Sequence, residues 1–351
     1  LNVDVFDFDL PESHIAQEPA MLRDAARLLV LERSTGETKH VAFASIADEL
    51  GPGDLLVFND TKVIPAKLAG RKPSGGRIEM LLIEPLGHDG GRAAWRALLT
   101  GSRHVKPGME LTFAEGMTVV PLAREGDTWR VALGLPPEGV LRFLEAHGET
   151  PLPPYIRRAP SDPRSPLDRE RYQTVYARAP GAIAAPTAGL HFTGAVLETL
   201  AARGVETTFL TLHVGPGTFA PVRAARLADH RMHEEFFALP APAAEAIRRT
   251  RARGGRVVAV GTTVARTLET RADGAGGVVP GEGRSGLFIY PGFRFQVVDA
   301  LVTNFHLPRS TLLMLVCAFA GTEPVLAAYR EAVGAGYRFY SYGDAMLVRA
   351  A

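Results

Sequence analysis

The hydrophobic period of this chain changes twice, and any fold has to accommodate both changes. Between residues 62 and 150, short β-rich runs (IEMLLIEPL, AWRALLT, MELTF, MTVVPLA and DTWRVAL) are separated by the turn clusters GHDGG, KPG, AEG and REGD. Runs this short, joined by such turns, form hairpins and so an antiparallel sheet or small barrel. A helix is expected over 139–147, after which PLPP forces an extended connection. The flanks have another texture. LLVLER and GDLLVFN precede the block, and GAIAA, VETTFLTLHV, RVVAVG, LFIY, VVDALVTNF and YRFYSYG follow it as strands. Between these later strands lie helical patterns: GAVLETLAARG, capped by Thr193 and ended by Gly204, then PAAEAIRRTRARGG, a helix starting near Thr262, STLLMLVCAFAG and another over 323–333. Strands alternating with helices imply a mainly parallel sheet with helices on both faces. The expected fold is therefore an α/β domain of residues 1–61 and 151–351, interrupted by an inserted small antiparallel β-barrel domain over 62–150.

Several function classes are excluded by what is missing. None of the five lysines is followed by Ser or Thr, so there is no P-loop, and no GxGxxG follows a strand as a dinucleotide fingerprint would require. Cys317 is the single cysteine, which rules out an intrachain disulfide and a thiolate-held cluster. The longest wholly apolar run, 312–320, is half a bilayer span, and the acidic start (Asp4, Asp7, Asp9) is unlike a signal peptide. These features predict a cytoplasmic protein without a membrane partner. With a formal net charge of +1, a polyanionic partner has to be held by local patches.

In a doubly wound sheet ligands sit at the carboxyl ends of strands. Polar residues follow the apolar runs at several such places: Asn59-Asp60-Thr61-Lys62, Thr187 to Phe192 with Gly189 and His191, and His213 to Phe219 with Gly215, Gly217 and Thr218. Gly261-Thr262-Thr263 and the segment from Asn304 through His306 to Thr311 complete the set. Small residues there let a ligand reach backbone N–H groups, and the Gly-Thr-Thr turn suits a carboxylate or phosphate at a helix N-terminus. Each also has an ordinary structural reading as a cap, a turn or a hydrogen-bonded core histidine.

Two further segments carry chemistry. Residues 155–178 hold six Arg against three acidic residues, with Tyr155, Tyr172 and Tyr176 interleaved. That pattern suits either phosphate and base contacts or a solvated linker of ion pairs. His230-Arg231-Met232-His233-Glu234-Glu235 has ligand-type residues but matches neither HExxH nor HxxEH, so no metal is expected. The aromatic residues Tyr337, Phe339, Tyr340 and Tyr342 before Asp344 fit either a core strand or a stacking surface.

Taken together, the strings DFDLPESHIAQEP, GDLLVFNDTKVIPAKL, RERYQTVYA, PGAIAAPTAGLHFT, TLHVGPGTF, VGTTVARTLE, FIYPGFRFQVVDALVTNFHLPRSTLLMLV and YRFYSYGDAML resemble the S-adenosylmethionine:tRNA ribosyltransferase-isomerase family of queuosine biosynthesis. The resemblance runs from about Val5 to Leu347 in eight ordered blocks. It implies a monomer with an α/β domain and an inserted β-barrel. It also implies transfer of the ribosyl part of S-adenosylmethionine to 7-aminomethyl-7-deazaguanine at the tRNA wobble position, giving epoxyqueuosine, adenine and methionine. Val264 and Ala265 depart from the family's usual GTTSVRTLE, and Pro216 replaces a commoner Leu.

That chemistry needs a base for the proton beside the sulfonium and an acid for departing adenine. The candidates are His191, His213, His233, His306, Asp60 and Glu234. Phe192 and Phe219 are expected to face the sulfonium, and Gly261, Thr262, Thr263 and Arg266 the methionyl carboxylate, with Thr187, Gly189, Gly215, Gly217 and Thr218 completing the S-adenosylmethionine site. Arg157, Arg158, Arg169, Arg171 and Tyr172 are the expected tRNA contacts. The rival enzyme class is an S-adenosylmethionine-dependent RNA methyltransferase, whose usual glycine-rich fingerprint is absent. A non-catalytic RNA-binding protein leaves the polar strand ends unexplained.

Overall fold

The computed structural model describes residues 2–159, 162–215 and 226–350. In chain order, β1 (Arg27–Glu32), β2 (Thr38–Ala42), β3 (Leu55–Asn59) and β4 (Thr61–Val63) lead into β5 (Lys67–Arg71), β6 (Arg77–Asp89), β7 (Arg92–Thr100), β8 (Leu111–Thr112), β9 (Thr118–Glu125) and β10 (Thr128–Leu133). The chain continues through α1 (Pro137–His147), α2 (Ser165–Arg171), β11 (Ala179–Ala182), α3 (Gly194–Ala202), β12 (Glu206–Leu212), β13 (Glu235–Leu239), α4 (Ala241–Ala252) and β14 (Val257–Val260). It ends with α5 (Thr262–Thr270), β15 (Gly281–Ser285), β16 (Ala300–Asn304), α6 (Thr311–Ala320), α7 (Thr322–Gly334) and β17 (Ala345–Arg349).

Strands β3, β14 and β16 read LLVFN, VVAV and ALVTN and are buried at every position, as strands covered on both faces must be. They lie centrally in a sheet ordered β15-β13-β12-β3-β14-β16-β17-β1-β2. Parallel pairing holds from β12 through β3 and β14 to β16, and again between β17 and β1. The β15–β13, β13–β12, β16–β17 and β1–β2 pairs are antiparallel. The sheet is thus mixed, with its parallel run at the centre, and the expected mainly parallel sheet holds only there. Alternate residues divide between two cores. Leu55 and Val57 pack with α4 to α7, whereas Leu56 and Phe58 pack with α3 and the 43–48 turn. Helices therefore cover both faces. Each fully buried Leu, Val or Phe contributes roughly 1.5–3 kcal/mol relative to exposure.

Strands β5 to β10 make a separate six-stranded antiparallel sheet around a third core that includes Met80, Trp95, Leu111, Val131 and, from α1, Val140 and Leu144. Its strands alternate buried and accessible residues, as one-sided sheets do. An isolated bridge from Lys67 to Glu149 joins the two ends of this segment. A two-stranded parallel ladder, β4 with β11, lies between it and the nine-stranded sheet in the chain.

Two expected strands are absent. LFIY is irregular, and its neighbour GEGRS forms edge strand β15 instead. That edge strand takes up the string GEGRSG, which has dinucleotide-motif spacing but no following helix. YRFYSYG is a turn, with only Phe339 bridged to Ile15, and β17 begins after it. Its aromatic rings are nonetheless core: Tyr337, Phe339, Tyr340 and Tyr342 are all buried. No single helix among the described residues is long and apolar enough to cross a membrane, and α6 meets α7 at 117°.

Candidate active site

The parallel centre of the sheet brings four strand ends to one edge: Asn59-Asp60 after β3, His213 after β12, Gly261 after β14 and Asn304 at the end of β16. Asn59 stitches two of them together. Its Nδ2 donates to Leu212 O at 2.9 Å, while its Oδ1 accepts from the N–H groups of Leu212 (3.0 Å) and Thr61 (3.1 Å). Asp60 is held from both sides, Thr211 Oγ1 donating to Oδ1 at 2.6 Å and Arg178 Nη2 to Oδ2 at 3.0 Å. Beside it, Thr61 Oγ1 lies 2.8 Å from His213 Nδ1, and the His213 ring stacks on Phe236 with centroids 5.7 Å apart. Burial pushes the His213 imidazole below its ordinary pKa, with the Asp60 carboxylate opposing. At neutral pH it is an uncharged, half-buried base.

The other imidazoles have different surroundings. His191 is 4% exposed, stacks on Phe43, and has Nε2 2.9 Å from Gly343 O and Nδ1 3.3 Å from Ala188 O. Both ring nitrogens face carbonyl oxygens, of which the single N–H of the neutral ring can bond only one, so the ring is packed between two turns with neither nitrogen open to a ligand. His306 Nε2 meets Thr303 Oγ1 at 2.7 Å, and burial pushes its pKa down to about 3. His233 and Glu234 are exposed, Glu234 facing Arg284 at 3.5 Å. The buried acid is Glu235, whose Oε1 accepts from Gly215 N (2.9 Å) and whose Oε2 accepts from Arg266 Nη1 (2.7 Å).

That pair corrects the expected role of Arg266. Its guanidinium is 2% exposed and also donates to the carbonyls of Leu287 and Ser285, so it braces α5 and β13 rather than awaiting a carboxylate. Phe192 is likewise corrected: it is fully buried between Phe43 and Phe58, at 5.0 and 4.9 Å, and presents no face to a sulfonium. Thr187 is half-buried at the head of its turn. Gly189 is required by packing, because a Cβ there would sit 2.0 Å from the Tyr176 hydroxyl. Gly217, Thr218 and Phe219 lie outside the described residues. Thr262 and Thr263 open α5 behind Gly261, which has φ +100°, and their hydroxyls have no hydrogen-bond partner among the described residues. Asn304 Oδ1 and Tyr340 Oη are buried without partners among the described residues. No group of three or more His, Cys, Asp or Glu side chains suited to a metal occurs among the described residues.

A strand-end site of this form occurs in many enzymes, and the comparison with known proteins narrows it. The family model for queuosine biosynthesis proteins matches residues 3–348. The chain belongs to that family. It is 58% identical over 354 residues to the S-adenosylmethionine:tRNA ribosyltransferase-isomerase of Anaeromyxobacter sp. (strain Fw109-5), covering 98% of this chain and 97% of that one. The enzyme of the same name from Pelobacter propionicus is 55% identical, with 98% of each chain covered. Among solved structures, the S-adenosylmethionine tRNA ribosyltransferase of Thermotoga maritima is 42% identical, with a TM-score of 0.56 over 98% of this chain and 99% of that one.

The basic segment divides by burial. Arg157 and Arg169 have side chains 77% and 48% exposed and pair with Glu12 and Glu145 at the surface. Arg158 is locked on buried Asp168, with Nε to Oδ2 at 2.6 Å and Nη2 to Oδ1 at 3.0 Å, and Arg171 donates to the carbonyls of Ala20 and Met21. Tyr172 is fully buried. Tyr172 therefore folds the segment, which corrects its expected place on an RNA surface, while Arg158 and Arg171 brace the segment by these bonds and stay partly accessible, Arg158 on the wall of the cleft described next. An open cleft of about 1490 Å³ runs between this segment and strands β5 and β6, lined among others by Lys67, Arg71, Arg77, Arg157 and Arg169.

Residues missed in the sequence had signals of uneven strength. Period-two alternation back from Leu239 and Phe237 places Glu235 inward and Glu234 outward, so Glu235 was recoverable. Thr61 stands in a polar strand end and Arg178 in the basic stretch of 155–178, but their partners His213 and Asp60 are set only by the fold.

Proposed function

We propose that this chain transfers the ribosyl part of S-adenosylmethionine to 7-aminomethyl-7-deazaguanine at the wobble position of tRNA and rearranges it to epoxyqueuosine, releasing adenine and methionine. The carrying observation is the one sheet edge on which a neutral His213, a doubly held Asp60 and the uncapped start of α5 meet. The orphaned Asn304 Oδ1 and Tyr340 Oη fit a ligand with several polar atoms. Bound S-adenosylmethionine supplies a sulfonium that acidifies the neighbouring ribose C–H and a sugar already activated for transfer.

His213 accepts that proton: it is the imidazole of the set that is uncharged, half-buried and not closed off at both nitrogens. Asp60, held between Thr211 and Arg178, lies beside the ring and favours the imidazolium that forms. The first N–H groups of α5, at Thr262 and Thr263, hold the methionyl carboxylate. Asn304, its Nδ2 fixed on Tyr340 O at 3.2 Å, offers Oδ1 to an N–H of the substrate.

We read residues 62–150 as an inserted domain, with its own core and its ends joined at Lys67 and Glu149. Its sheet is read as a small barrel whose narrowest seam is the single β5–β8 pair Arg71 with Thr112. The cleft beside it, with Arg157, Arg169, Lys67, Arg71 and Arg77, takes the tRNA backbone. The protein acts as a cytoplasmic monomer. Chromatography after incubation with S-adenosylmethionine and tRNA carrying the aminomethyl base tests the reading: released adenine and methionine support it, and S-adenosylhomocysteine in their place overturns it in favour of methyl transfer.

A further inference from the structure

His213 is clamped by the small β4–β11 ladder, which neither the central sheet nor the six-stranded sheet contains. Thr61 opens β4 and pairs with Ala179, the first residue of β11. Its hydroxyl lies 2.8 Å from His213 Nδ1 and 3.5 Å from Ala179 O. Two strand positions further on, Gly181 lies against the ring, where a Cβ would fall 2.8 Å from both Nε2 and Cε1. Phe236 of β13 stacks on the ring, and His213 N donates to Phe236 O at 3.0 Å. The charged groups near the imidazole are Asp60, on the β3–β4 turn, and Arg178 bound to it.

The hydroxyl of Thr61 has one proton. A carbonyl oxygen only accepts, so the arrangement that satisfies both neighbours sends the Thr61 proton to Ala179 O and takes the His213 Nδ1–H on the hydroxyl oxygen. We propose that Thr61 and Gly181 are positioning residues for His213: the Ala179 carbonyl and the Thr61 hydroxyl together hold the imidazole proton on Nδ1, and Gly181 leaves room for the ring in that pose. Free histidine in water favours the opposite tautomer, with the proton on Nε2, so the clamp inverts the intrinsic preference. Nε2 then carries the lone pair. When the substrate C–H bond breaks, Nε2 takes the proton, the electron pair stays on carbon, and the ring becomes an imidazolium facing Asp60. This inference rests on His213 being the base.

The test uses full-length protein labelled with ¹⁵N-histidine, at a pH near 8 and without substrate, with His213→Gln identifying the signal. Long-range ¹H–¹⁵N correlation then shows which ring nitrogen carries the proton. In the wild type we expect a proton on Nδ1 and a bare Nε2; in Thr61→Val the proton moves to Nε2. In turnover, Thr61→Val lowers kcat by at least about tenfold with KM for both substrates within about twofold, and Thr61→Ser recovers kcat to within about threefold. Gly181→Ala, whose methyl would fall 2.8 Å from the ring at a φ of +150° that also strains the backbone, lowers kcat in the same way together with the melting temperature. A wild-type proton on Nε2 overturns the clamp. So does Thr61→Val turning over at the wild-type rate while His213→Gln is inactive, and the base assignment then survives. If His213→Gln itself turns over within about threefold of wild type, the base assignment falls and takes the clamp's role with it.

Discussion

At the scale of single residues, neutral imidazoles and one buried ion pair dominate the chemistry of the sheet edge. His306 is held uncharged by burial, its pKa pushed from the ordinary 6.5 down to about 3. Because the unfolded chain binds this proton more readily, the contribution of His306 to stability is complete above about pH 6.5 and is lost as the pH falls toward 3. The loss amounts to at most about 1.4 kcal/mol per pH unit within that window. Melting temperatures followed from pH 7 to pH 4 should therefore fall less steeply in His306→Asn than in the wild type, and parallel curves would contradict this. The Glu235–Arg266 pair is nearly sealed, at 4% and 2% side-chain exposure. Glu235→Ala strands a buried guanidinium and should cost roughly 3–5 kcal/mol in urea unfolding, Glu235→Gln less. An Ala variant within about 1 kcal/mol of wild type would show that the guanidinium finds another partner. This pair also marks the limit of reading by residue type. Arg266 matches a carboxylate-binding arginine in the sequence, and only the fold shows that the carboxylate it binds is the protein's own.

Turns decide as much as strands at the scale of elements. The Thr187–His191 turn packs so closely on the preceding segment that Gly189 has no room for a side chain beneath the Tyr176 hydroxyl. Gly189→Ala should destabilise by about 1–3 kcal/mol, and Tyr176→Phe in the same chain should return part of that, as a double-mutant cycle of thermal unfolding would measure. Simple addition of the two single costs would contradict a direct clash. Elements with a strong local pattern were legible in the sequence. Thr193 caps α3 as expected, its hydroxyl accepting from Val196 N at 3.2 Å, and β3, β12, β14 and β16 stand where the apolar runs place them. The helix expected over 139–147 is α1, Pro137–His147. What escaped was set by distant partners. LFIY has strand composition, but the β13 edge is taken by GEGRS; the aromatic run YRFYSYG is buried as a turn because Tyr340 adopts φ +73° and Gly343 fits where a Cβ would meet backbone at 2.4 Å. The edge strand β2 carries too little pattern to be seen, and β13, one in from the β15 edge, shows only a short alternation over Glu235–Leu239.

For the whole molecule, the cores on the two faces of the nine-stranded sheet and a basic cleft beside the six-stranded sheet frame the proposed reaction. If the cleft carries tRNA, replacing Arg157, Arg169 and Arg77 by Gln should weaken binding and lower the slope of log K against log salt by roughly 0.7–0.9 for each phosphate no longer neutralised. Tyr172→Phe, altering a fully buried ring, should leave that slope unchanged. A slope untouched by the three arginine changes would move the RNA elsewhere on the surface. The six-stranded antiparallel sheet was legible from the short β-rich runs and turn clusters between residues 62 and 150, whereas the mixed pairing at both sides of the main sheet was not, since antiparallel edges leave no mark on buried strands that read alike in either direction. Above all these details stands the claim that the sheet edge moves a sugar. S-Adenosylmethionine labelled with ¹³C in its ribose carbons, incubated with this protein and tRNA carrying 7-aminomethyl-7-deazaguanine, tests it most directly. The account predicts that all five labelled carbons appear in the modified wobble nucleoside; a nucleoside heavier by an unlabelled methyl group alone would contradict it.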